Sequence, residues 1–112
     1  MSEEKKTVRI YIGNGDVFRD EDGKTVKRTG YASKIAARAS REIRNGRDVE
    51  LTAISERASS NMVKALVHIF STLRSYNITP EVKNIYFKET KVGNGNNQNT
   101  VMSKNILIGR KD

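Results

Sequence analysis

The chain has 112 residues, no cysteine, one histidine and a formal net charge of +8, with a pI near 9.9. That length supports one domain with one modest core, no apolar run approaches a bilayer span, and the lack of cysteine excludes a disulfide framework and a thiolate zinc site. The basic excess points to a polyanionic partner, because phosphate neutralisation is its commonest use; an inert basic surface on a protein-interaction module is the competing reading.

Residues 1–6, MSEEKK, are mixed in charge and lack a signal-peptide apolar core, so they read as a flexible tail before a single domain over 7–112. From Thr7 to Ile12, Val8, Ile10 and Ile12 alternate with Arg9 and Tyr11, the period of a strand. Gly13-Asn14-Gly15 ends it. This pair of glycines is not a dinucleotide fingerprint, since no third glycine follows at the required spacing and no helix opens there. Residues 16–30 form an insertion in which four acids (Asp16, Asp20, Glu21, Asp22) face four bases (Arg19, Lys24, Lys27, Arg28). Asp22-Gly23 is a hairpin signal, so a short β-ribbon is predicted, with a mobile loop as the alternative.

Tyr31 to Asn45 is predicted as a helix with a buried stripe of Ala32, Ile35, Ala36, Ala39 and Ile43, suited to close packing on a sheet. Lys34, Arg38, Arg41 and Arg44 lie on its other side, more simply read as a solvated face than as phosphate contacts. Asn45-Gly46 supplies the C-cap. Next, Val49, Leu51 and Ala53 alternate with Glu50, Thr52 and Ile54 in a strand packed on one face. Ser55-Glu56-Arg57 breaks it, and from Ala58 the period is helical. Ala58, Met62, Ala65, Leu66, Ile69 and Leu73 form one stripe; Val63, Val67 and Phe70 form a second beside it. A helix that only covers a sheet needs one stripe, so the second is expected to meet another copy of the chain. Asn77-Ile78-Thr79-Pro80 stops the helix. Val82–Val92 and Thr100–Arg110 are long strands around the polar connection GNGNNQN, a protruding hairpin whose tip either lies on something polar or does nothing.

The order β-α-β-α-β-β predicts an α+β fold: a four-stranded mixed sheet with two helices on one face, a projecting final hairpin and a hairpin-like insertion after the first strand. The bacterial YhbY-like domain and the C-terminal domain of a translation initiation factor share that order. AISERASSNMVKALVHI resembles the strand–turn–helix signature of the Alba family, in which an Arg-Ala step (here Arg57-Ala58, with Ser60 following) leads into the second helix. The opening TVRIYIGN and the closing ILIGRKD extend the resemblance over Val8 to Lys111, apart from the insertion. Three departures stand out. Asn61 occupies a place where the family often has lysine. The turn is one residue longer, with Ser55-Glu56 where a glycine is usual. The family's lysine pair after the first strand is replaced by Thr29-Gly30, with Lys27 and Arg28 as the nearest substitutes. The resemblance implies a dimeric, largely sequence-independent DNA-binding chromosomal protein, cytoplasmic and nucleoid-associated. A relative that binds RNA, such as a ribonuclease P-type subunit or translation-linked factor, is the alternative.

No catalytic constellation assembles. His68 reads as a surface residue without an i,i+4 metal partner or a nucleophile to activate, and Asp20-Glu21-Asp22 suits a turn better than a metal site. The expectation is therefore a non-enzyme without cofactor, metal, membrane or small-molecule substrate. Its expected partners are double-stranded DNA, RNA or both, and a second copy of itself. Candidate phosphate contacts are Lys24, Lys27, Arg28, Arg57, Lys91 and Lys104; candidate dimer residues are Val63, Val67 and Phe70. Aromatic residues are scarce on the basic elements, and Tyr31 and Tyr86 are expected to be packed, so contacts to the backbone and shape of a duplex are favoured over base stacking.

Overall fold

Two strand–helix units and a long terminal hairpin build the sheet. The computed structural model describes residues 7–13, 17–19, 25–27, 30–93 and 95–111. In chain order these form β1 (Val8–Ile12), β2 (Val17–Arg19), β3 (Thr25–Lys27), α1 (Tyr31–Arg44), β4 (Val49–Ala53), α2 (Glu56–Ser75), β5 (Pro80–Val92) and β6 (Asn99–Arg110), with a 3-10 turn over Gly95–Asn97. The main sheet has the order β1-β4-β6-β5. β1 runs parallel to β4, while β4–β6 and β6–β5 are antiparallel. This is the mixed four-stranded sheet that the sequence predicts. β2 and β3 pair antiparallel as a separate ribbon, Phe18 opposite Val26. The ribbon reading of the insertion thus holds; its predicted Asp22-Gly23 turn, like the tail 1–6, lies outside the described residues.

One hydrophobic core explains why both helices share a face. Ile10, Ile12, Val49, Leu51, Ala53 and Ile108 all project to the same side by strand alternation. They meet Ile35, Ala36, Ala39 and Ile43 of α1 and Ala58, Met62, Ala65, Ile69 and Leu73 of α2. The alanines let the two helices approach each other and the sheet closely.

The helix ends follow local chemistry. α2 begins at Glu56, a residue pair earlier than the periodicity suggests, because Ser55 is its N-cap and accepts a hydrogen bond from the Ala58 N–H at 3.0 Å. The polar Ser55-Glu56-Arg57 step is the first turn of the helix rather than a separate loop. At the end of α1, Gly46 takes φ +89°, its N–H donates to Ile43 O and the Arg47 N–H to Glu42 O, the Schellman arrangement. Asn77 does the same for α2 at φ +60°, with Ile78 N–H donating to Leu73 O. The last two strands start earlier than predicted. Pro80 opens β5, where its missing N–H is tolerated, and a bulge at Lys83 lets its ammonium reach Asp48 Oδ1 at 3.3 Å.

That ion pair lies over Gly109. A Cβ there would overlap the Asp48 carboxylate and the end of the Lys83 side chain. Gly109→Ala should therefore destabilise the fold by ~1–3 kcal/mol through overpacking, read as a lowered denaturation midpoint. An unchanged midpoint would mean the pair moves aside freely.

Candidate nucleic-acid interface

The start of α2 gathers the basic residues of the middle segment. Arg57 and Lys64 are exposed on its outer side and border an open depression shared with Ser55, Glu56, Ser60 and Asn61. The helix N-terminus adds backbone N–H groups that favour an anion. Lys104 arrives from β6. Its position opposite Ala53 and Phe87 puts it on the helix side of the sheet, and its Nζ donates to Ser59 Oγ at 2.7 Å. Lys91, opposite Thr100, has the same parity along the hairpin and so projects from the same face of the arm, ~14 Å farther toward the tip at strand rise. Of the six candidate phosphate contacts, the structure thus places Arg57 on the outer side and Lys104 on the β6-facing side of one helix terminus, and Lys91 on the arm leading away from it. Lys27 is the last residue of β3; Lys24 and Arg28 lie outside the described residues. Lys64 escaped the sequence reading because an isolated helical lysine carries no pattern.

Asn61 explains one departure from the family pattern. It is buried, and its Nδ2 donates to Gly13 O at 3.1 Å. The Gly13 N–H donates to the Tyr31 hydroxyl at 3.0 Å. Both backbone groups of Gly13 are therefore held by side chains, which fixes the exit of β1 beside the first turn of each helix. A charged lysine at position 61 could not occupy this site without losing that bond, so the residue here serves the framework.

The second stripe of α2 is present and largely uncovered. Val63 and Val67 are 58% and 65% exposed, while Phe70 is half-buried and packs against the core. Helical spacing puts Ser59, Val63, Leu66 and Phe70 on one side of α2, and the Lys104–Ser59 bond shows that this side overlooks β6. Across the sheet, Ile85, Phe87 and Met102 project to the same side and are also exposed. The structure therefore unites two valines predicted from the helix with three apolar residues of the hairpin. The latter went unnoticed because isolated apolar residues in a strand read as core.

The other face of the sheet differs from expectation. Alternation alone assigns Glu50 and Thr52 to solvent, yet all of β4 is buried. Arg9 Nη2 donates to Glu50 Oε1 at 3.0 Å, the Tyr86 hydroxyl donates to the same oxygen, and Thr52 Oγ1 donates to Asn105 Oδ1 at 2.8 Å. Long side chains from the two edge strands close over the centre. Hydrogen bonding to the Glu50 carboxylate holds the Tyr86 hydroxyl above its ordinary pKa. Tyr31 is half-buried against the core, and Tyr86 is half-buried within this network.

Among the described residues, no His, Cys, Asp or Glu cluster is arranged to hold a metal ion, and no helix is long and apolar enough to cross a membrane. His68 is exposed, in the groove between α1 and α2 beside Ser40, Arg44, Thr72 and Tyr76.

No protein-family model and no curated protein sequence matches the chain. Among solved structures, the Alba protein from Thermoplasma volcanium superposes with a TM-score of 0.58, over 94% of this chain and 100% of that one, at 10% identity. The mixed sheet, its two helices on one face and the long closing hairpin are those of that structure: the chain carries the Alba fold.

Proposed function

We propose that this protein is a dimeric, largely sequence-independent DNA-binding chromosomal protein that also binds RNA. The observation that carries the reading is the set of cations around the N-terminal turns of α2, Arg57 and Lys64 on its outer side and Lys104 on the side facing β6, with Lys91 on the same face of the arm as Lys104. These groups sit on the fold of an Alba protein in a chain of net charge +8. Lysine and arginine at a helix terminus and along a hairpin address phosphates, so contacts should read backbone and shape. The apolar surface of Val63, Val67, Ile85, Phe87 and Met102 is the proposed dimer face, and pairing there duplicates the basic termini and the arms along one assembly. The insertion bases Lys24, Lys27 and Arg28 are proposed as substitutes for the family's lysine pair.

Competition among unrelated duplexes of equal length tests the specificity. Less than about tenfold discrimination is expected, whereas a preference of about a hundredfold or more would require base readout and sink this account. Crosslinking in cells, with sequencing of bound DNA and bound RNA together, tests the partner. Recovery of RNA alone would replace the chromosomal reading with the RNA-binding one.

A further inference from the structure

The helix-free face of the sheet carries a row of planar groups that the basic interface does not use. Arg9 and Tyr11 of β1, Glu50 and Thr52 of β4, Asn105 of β6, and Tyr86 and Lys88 of β5 all project there by register. Tyr86 starts two strands away from Glu50, ~10 Å at ordinary strand spacing. For its hydroxyl to reach Glu50 Oε1, the side chain must lie across β6 along the sheet surface. Arg9 meets the same oxygen from the opposite side. Its guanidinium pKa is raised above the ordinary value, first by hydrogen bonding with Tyr11 and then by the charge of Glu50. Arg9, Glu50 and Tyr86 thus form one linked row from edge to edge, with Tyr11 two residues from Arg9 on the same face of β1. Below it, Thr52, Asn105 and Ser103 satisfy one another and the Tyr86 and Lys88 carbonyls.

Two features make this row more than a sheet cover. Tyr11 is 69% exposed, an aromatic ring left in water beside a network that holds its neighbours in place. The exposed charge nearest Tyr11 is positive: Glu50 is buried beneath two donors, whereas the Arg9 side chain is 51% exposed and Lys88 is exposed, and the carboxylates of Asp48, paired with Lys83, and Glu81 lie at the other end of the face beside Gly109. Aromatic and guanidinium planes flanked by cations match unpaired bases with their phosphates, since every base has a π face and stacking tolerates any sequence. We infer that the helix-free face is a second binding surface, taking a single-stranded polynucleotide with a base stacked on Tyr11 and the backbone near Arg9 and Lys88.

This surface lies on the side of the sheet opposite the helices and the proposed dimer face, and it does not depend on the duplex-binding reading. The test compares Tyr11→Leu, which keeps apolar bulk without a ring, with Tyr11→Phe, which keeps the ring. Each full-length protein is titrated with labelled ~10-nucleotide oligo(U) and oligo(dT), and with a duplex. Loss of one stack should weaken single-strand binding in Tyr11→Leu by ~5- to 100-fold, while Tyr11→Phe stays within about twofold of wild type and duplex affinity does not change. The two oligomers show whether RNA, DNA or both is taken. Equal single-strand affinity for the two variants, or a parallel loss on the duplex, would overturn the inference. A wild-type protein that fails on the duplex yet shows the Tyr11-dependent single-strand effect would overturn the duplex reading alone.

Discussion

Val67→Asp, alone or with Val63→Asp, is expected to leave the protein monomeric while its melting behaviour stays close to wild type. Both valines are more than half exposed in the described chain, so an aspartate there should change folding by no more than about 0.5 kcal/mol. In a two-fold interface the same carboxylate is buried twice, and an uncompensated buried charge costs ~3–5 kcal/mol. That is enough to dissolve a dimer of micromolar affinity. Phe70→Asp is the poorer probe. Phe70 packs against the core as well as flanking the exposed stripe, so its loss would weaken folding and pairing together. Sedimentation at ~50 μM, well above a micromolar dissociation constant, separates the outcomes. A wild-type monomer at that concentration ends the dimer reading, and a Val67→Asp dimer moves the interface elsewhere.

The sheet and helices were legible because their signals are local. Val49, Leu51 and Ala53 give way to Ala58, Met62 and Ala65 within a few residues, and that change of period alone marks a strand turning into a helix. Asn45-Gly46 marked the end of α1 correctly because a left-handed glycine cap is a local requirement. The start of α2 was read late because Glu56 and Arg57 have no apolar side to show; only the Ser55 hydroxyl on Ala58 N–H reveals them as helical.

What stayed hidden was long-range. Glu50 appears solvent-facing within its own strand, but Arg9 lies 41 positions away and Tyr86 36, and nothing in VELTA announces either. The same applies to Asn61, whose partner Gly13 is 48 positions away. Tyr11 is the instructive case on the site side. Its position in β1 was plain, but its worth as an exposed ring depends on which face the helices leave bare, and that follows from packing. The insertion shows the limit in the other direction. A balanced set of acids and bases around Asp-Gly predicts a ribbon correctly, yet charge balance says nothing of whether Lys27 and Arg28 touch phosphate.

Salt dependence is expected to divide that question. Each phosphate contact contributes about 0.9 to the slope of log affinity against log salt on duplex DNA. Replacing Arg57, Lys64 and Lys104 together with alanine should flatten the slope by about 2.7 per protomer, and by roughly 5 if both halves of a dimer engage one duplex. Between about 50 and 200 mM salt, the smaller figure alone closes the gap between wild type and variant by ~40-fold. Folding should suffer little, since Arg57 and Lys64 are exposed; Lys104 forfeits its bond to Ser59, worth ~0.5–1.5 kcal/mol. Lys27→Ala with Arg28→Ala is the matched comparison. If the insertion contacts phosphate through these two bases, this double variant should flatten the slope by about 2 per protomer. Its dimerisation and melting should match wild type, because both substitutions fall in the insertion, whose strands β2 and β3 pair apart from the main sheet. If the ribbon only balances its own charge, the double variant binds like wild type at every salt concentration. The whole slope then belongs to the α2 terminus and the arm, and Lys91→Ala should remove one further unit from what the triple variant leaves.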